Sequence, residues 1–157
     1  MQLMRGFSYI EIIITVAILA LLASVAVPYV ELITTRQKET DLRRNLREIR
    51  EAIDAFKTAS DEGRIIKQVE DSGYPKSLEV LAEGIEDAKD LKKKKIYFLR
   101  RLPRDPMSND SRLTNAQTWG TRSYDSPPDR PTAGVDVFDV YSLSPQKGLN
   151  DIPYNQW

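Results

Sequence analysis

Between residues 12 and 27 the sequence reads IIITVAILALLASVAV, a run with no charged residue. Extended to residues 7–30 it has 24 positions. As a helix rising 1.5 Å per residue that is about 36 Å, against a bilayer core about 30 Å thick. A helix that is apolar on every side needs apolar surroundings on every side. The remaining chain is too short and too polar to supply them, so the run reads as a membrane span. Two residues sit oddly in it: Glu11 near its start and Pro28 near its end. The small-residue stretch at 23–26, ASVA, is similar to a secretory cleavage site. Two features argue for retention instead: the basic head holds a single Arg5, and the apolar run flows unbroken into a further helical pattern.

That pattern is a stripe. Leu42, Leu46, Ile49, Ile53 and Phe56 follow one another at spacings of 4, 3, 4 and 3, which places them on one helix face. Arg43, Arg44, Arg47, Glu48, Arg50, Glu51 and Asp54 fill the other faces. No glycine and no further proline interrupts residues 29–60. The spacing predicts one helix over residues 7–60, ended by Asp61, Glu62 and Gly63. Barely two heptads is short for a free-standing coiled coil, so the stripe is expected to lie on a folded domain.

The chain of 157 residues suits one modest domain plus an anchor. Lys+Arg and Asp+Glu are both 23. That balance gives no basic face for nucleic acid. With no Cys there is no disulfide, zinc ribbon or thiol nucleophile, and with no His there is no ordinary triad or His-based metal site. An enzyme is not expected. Residues 77–84, SLEVLAEG, read as a short helix with Ser77 as N-cap and Gly84 as stop. The four lysines at 92–95 read as a solvated loop tip. Residues 102–131 carry the turn formers Pro103, Pro106, Asn109, Gly120, Pro127, Pro128 and Pro131, with a short strand predicted near 121–124. Residues 135–143, VDVFDVYSL, make the best strand, with an alternation imperfect enough to predict a bulge or cover on both faces. Trp157 is expected to dock back or to sit at a subunit contact. The predicted class is α+β: a long N-terminal helix packed on a small antiparallel sheet of two to four strands, with a loop-rich C-terminal half.

Residues 5–20, RGFSYIEIIITVAILA, resemble the N-terminus of type IV pilins and pseudopilins. The signature is a short basic leader ending in Gly, then Phe, then Glu four residues later inside an apolar helix. Gly6, Phe7 and Glu11 stand at those places, and Pro28 falls where the family commonly has a proline. Within the family the C-terminal half is most similar to the major pseudopilin of the type II secretion system. YFLRRLPRDP at 97–106 resembles that group's segment ending in L-P-x-D-P, and FDVYSL at 138–143 resembles its late strand. The lack of Cys agrees, since many type IV pilins close this region with a disulfide. Two stretches depart from the pattern: MSND follows Pro106, and Ser144, Pro145 and Gln146 stand where an Asp is usual.

The resemblance implies a leader at residues 1–6, a transmembrane and filament-core helix at 7–30, and a pilin-like domain at 31–157 that includes the amphipathic half of the helix. It implies cleavage between Gly6 and Phe7 by a prepilin peptidase and methylation of the new Phe7 amine. It further implies a homo-oligomeric helical filament, with an inner-membrane assembly platform and minor pseudopilins as partners and the C-terminal domain in the periplasm. Glu11 would pair with the Phe7 amine of a neighbouring subunit and fix the stagger between helices; its other reading is a carboxylate snorkelling to the headgroups. Pro28 removes a backbone donor and clashes with the Ser24 carbonyl, which would separate the membrane half from the domain half. The family's late loop usually binds calcium, and here Asn150 and Asp151 are the oxygen donors at that place, with Asp136 and Asp139 nearby in sequence. Otherwise the loop is held by backbone bonds and Trp157.

Charge alone points the other way on topology. Arg36, Lys38, Arg43, Arg44 and Arg47 follow the span and only Arg5 precedes it, which on positive-inside counting favours a cytoplasmic domain. The periplasmic placement comes from the resemblance. Two alternatives stay open: a subunit of a surface type IV pilus, and a membrane-anchored periplasmic binding or enzymatic domain. In the last of these Glu11 would be replaceable by an apolar residue.

Overall fold

A computed structural model describes residues 8–157, leaving aside the side chains of residues 25–28. The first helix, α1, runs over Tyr9–Asp61, close to the predicted span. Two compact units divide the chain between Gln37 and Lys38.

In the first unit the described apolar side chains face outward. Ile12, Ile18, Leu19 and Leu22 are all half or more exposed. None of the most apolar 18-residue window of α1 is buried. By length and composition this is a candidate membrane span or signal sequence.

In the second unit the stripe is buried as its spacing predicts. Leu42, Leu46, Ile49, Ile53 and Phe56 are each at most 5% exposed. They pack with Leu78, Leu81, Leu99, Leu102, Trp119, Val140 and Tyr154 into one core. Burying side chains of this size stabilises by about 1.5–3 kcal/mol each before entropy is counted. Gly63 ends the helix. Its N–H donates to Ser60 O and the Arg64 N–H donates to Ala59 O, the paired bonds of a Schellman cap. That cap needs a left-handed residue, and Gly63 supplies it with φ +72°.

The short second helix, α2, spans Glu79–Glu83 and buries Leu81. Ser77 is not its cap; Leu78 holds that position without a side-chain bond. Leu78 is 2% exposed, so burial fixes the helix start in place of a hydroxyl. Gly84 follows as predicted, with its N–H on Val80 O.

The strand pairing is antiparallel but divided into two two-stranded sheets among the described residues. One pairs β1 (Ile85–Glu86) with β2 (Lys95–Ile96), and Lys92, Lys93 and Lys94 are exposed in the turn between them. The other pairs β3 (Trp119–Arg122) with β4 (Asp139–Ser142). The strand predicted over 135–143 is thus only its second half. Along β4 the alternation is regular, with Val140 and Ser142 buried. Before it, Val137 N–H bonds Pro75 O, and Asp136 accepts from the hydroxyls of Ser72 and Ser123 and from the Tyr124 N–H. Those bonds draw residues 136 and 137 away from the ladder. The imperfect parity of VDVFDV records that change of partner.

Candidate functional site

The family signature falls partly outside the described residues: Gly6 and Phe7 lie there entirely, and Pro28 lies there as a side chain. The backbone of α1 is helical through position 28, so Pro28 does not end the helix.

Glu11 is described. It lies exposed in the first turn of α1, where Ser8 O accepts from the N–H groups of Glu11 and Ile12. A carboxylate there faces the positive end of the helix dipole, worth about 0.3–1 kcal/mol. The next polar side chains, Thr15 and Ser24, donate their hydroxyls back to Ile12 O and Leu21 O. Those hydroxyls are satisfied within the helix and are tolerated in hydrocarbon. Among the described residues Glu11 has no such partner, which sets it apart from the rest of the run.

The segment resembling L-P-x-D-P is a hub in the second unit. Three successive carbonyls each take a side-chain donor: Leu102 O from Asn115, Pro103 O from the Trp119 indole, and Arg104 O from Asn45 of α1. Asp105 is 1% exposed. Its carboxylate accepts from Met107 N at 2.8 Å and from the Ser142 hydroxyl at 2.6 Å, while its own N–H donates to Thr118 Oγ1. Each oxygen of this buried carboxylate accepts a bond, and together the bonds tie this turn to β4.

The C-terminal loop is held from α1. Glu39 Oε1 accepts from Leu149 N at 2.7 Å and from the Tyr154 hydroxyl at 3.1 Å. Burial, then the bond and charge of Glu39, push the Tyr154 hydroxyl above its ordinary pKa. Trp157 docks back as expected. Its ring lies 5.1 Å from that of Tyr154, the Arg43 guanidinium covers it at 4.3 Å, and its indole N–H reaches Ile152 O.

Asn150 and Asp151 stand at the exposed tip of this loop. Asn150 Oδ1 accepts from the Ile152 N–H, and Asp151 turns the chain with φ +60°. Asp139 is paired with Arg50 and Arg122, and Asp136 is bonded as above. Calcium takes six to eight oxygens, several of them carboxylate. The donor set at Asn150 and Asp151 does not fit that requirement. Among the described residues no group of three or more His, Cys, Asp or Glu side chains could hold a metal ion.

Sequence reading missed Glu39 and Arg50, whose partners lie about a hundred residues away. No local periodicity signals such a bond.

No family model, curated protein or solved structure matches the chain. The fold is α+β, with a long N-terminal helix whose first part is a candidate membrane span and small antiparallel pairings behind it.

Proposed function

We propose that the protein is a structural subunit of a helical filament anchored in the bacterial inner membrane, a type II secretion pseudopilus that drives protein export across the outer membrane. Its domain at 31–157 lies in the periplasm, and it carries no catalytic site of its own. One observation supports this reading above others. Glu11 stands in the first turn of a helix whose following described residues expose apolar side chains on every face, and Phe7 and Gly6 come four and five residues before Glu11 in sequence.

The magnitudes favour a partner for Glu11. A carboxylate in the hydrocarbon costs about 2.5–3.5 kcal/mol on insertion scales. The helix dipole returns at most about 1 kcal/mol of that at an exposed site. A positive Phe7 amine on a neighbouring copy offsets the remainder, and it does so at one stagger only, as a single buried polar residue fixes register in a coiled coil. Lipid serves the apolar half before assembly, and other copies serve it afterwards. A prepilin peptidase would expose that amine by cutting after Gly6, and an assembly platform and minor pseudopilins would start the stack.

Glu11→Ala tests the reading. The variant is expected to reach the membrane fraction as fully as the wild type, because an apolar residue inserts more easily. It is expected to form few or no filaments. A Glu11→Ala chain that assembles normally would contradict the pairing of Glu11 with the Phe7 amine, and a wild-type chain that forms no filament while Glu11→Ala keeps full function would contradict the filament reading and favour a simple anchor.

A further inference from the structure

We propose that Arg50 and Glu39 dock the C-terminal segment on α1 as two separate anchors of opposite charge, so that residues 139–157 are fixed without calcium. The two residues are eleven positions apart, about three helical turns, and so project from one face. Every residue involved lies within 38–157, and the proposal does not depend on the filament reading.

A calcium ion organises a loop by gathering oxygen acceptors around one positive charge. Here the Arg50 guanidinium gathers them. Its Nε donates to Asp139 Oδ1 at 2.8 Å, and Nη2 donates to Val140 O at 3.1 Å and to the main-chain oxygen of Trp157 at 2.9 Å. One carboxylate and two main-chain oxygens, from both ends of the segment, converge on one cation that belongs to the helix. The planar fork of Arg suits this set, and the single ammonium of Lys does not reproduce it. Arg122 Nη2 adds a second contact to Asp139 at 3.5 Å.

At the loop itself the polarity is reversed. Residues 148–154 present donors, the Leu149 N–H and the Tyr154 O–H, to the Glu39 carboxylate. A cation binding the Glu39 carboxylate there would have to displace both donors from it. The loop is closed by its own backbone, with Gly148 N on Ile152 O, Asp151 N on Gly148 O and Tyr154 N on Gln146 O. Gly148 admits the close packing this needs: a Cβ there would meet the Trp157 ring at 2.5 Å and Asn150 Oδ1 at 2.8 Å. Helix acceptor to loop donors and helix donor to segment acceptors together leave no acceptor-rich cage for a metal to fill.

The full chain in detergent, melted with about 5 mM calcium chloride and again with excess EDTA, tests the claim; that concentration exceeds the dissociation constant of even weak extracellular calcium modules. The wild-type Tm is expected to agree between the two conditions within about 1 °C. Arg50→Ala is expected to lower Tm by about 3–8 °C and to raise amide exchange in residues 139–157 at least about tenfold over the α1 core. Arg50→Lys should recover only part of the loss, and Glu39→Ala, which removes the oxygen that accepts both loop bonds, should expose the Leu149 amide without releasing residues 139–142. A wild-type Tm that rises several degrees with calcium would overturn the proposal. So would unchanged exchange at 139–157 in Arg50→Ala. Should that variant not fold, the wild-type calcium comparison and Glu39→Ala still decide, and an unchanged Leu149 amide in Glu39→Ala would overturn the anchoring role of Glu39.

Discussion

One helix, α1, contains two kinds of surface. Up to residue 37 its described apolar side chains point in every direction, and Ile18 is 52% exposed. From residue 38 onward they form a single stripe, and Ile49 is fully buried. The residue type is the same and the helix is continuous; the arrangement of its neighbours differs. A stripe with charges around it specifies a packed domain. An all-round apolar surface with one carboxylate specifies lipid or like helices, and a reason for the carboxylate.

The largest expected effect breaks the comparison most plainly. Ile49→Ala should destabilise the second unit by about 2–5 kcal/mol, the cost of a cavity in a packed core. Ile18→Ala, the same chemical change on the same helix, should leave the thermal unfolding of that unit unchanged. Melting both variants in detergent by circular dichroism makes the check; equal losses would mean that the two halves of α1 are not energetically distinct.

A smaller effect sharpens the comparison through pH. The carboxylates held below their ordinary pKa lie in the second unit. The Lys57 bond holds Asp61 down and the Arg64 bond holds Asp87 down. At Asp136 burial pushes upward, but the bonds from Ser72, Ser123 and Tyr124 N outweigh it and the net shift is downward. A depressed folded pKa means the folded state holds the charged form better than the unfolded one. The stability this contributes is present above the unfolded value, about 3.9, and is lost as pH falls through the folded value. Tm should therefore fall steadily below about pH 4, and Asp136→Asn should make that fall shallower while lowering Tm at neutral pH. An unchanged acid slope in Asp136→Asn would show that the buried carboxylate does not contribute.

Much of this was legible in the sequence, for a physical reason. Leu42, Leu46, Ile49, Ile53 and Phe56 repeat with the helix period, and burial follows period. Gly63 ends α1 because its backbone permits the left-handed turn a Schellman cap requires. The strand in VDVFDVYSL was legible only in part, because its first half is decided by Asp136, Ser72 and Pro75, and alternation does not record partners so distant. The division into two sheets was not legible for the same reason. Nor was the docking of the C-terminal loop: Glu39 and Arg50 are two among many charges on α1, and nothing local separates them from Arg47 or Glu51. The resemblance implied calcium at Asn150 and Asp151; the neighbouring Leu149 N–H and Tyr154 O–H donate to Glu39 of α1, a partner that no family pattern in the sequence indicates.

In the proposed function the apolar segment from residue 7 onward is retained, freed of residues 1–6 and used for assembly. Mass spectrometry of the mature N-terminus tests it most directly. The expected result is a chain beginning at Phe7 with one methyl group on its amine. An intact Met1, or cleavage near Ala26, would contradict it.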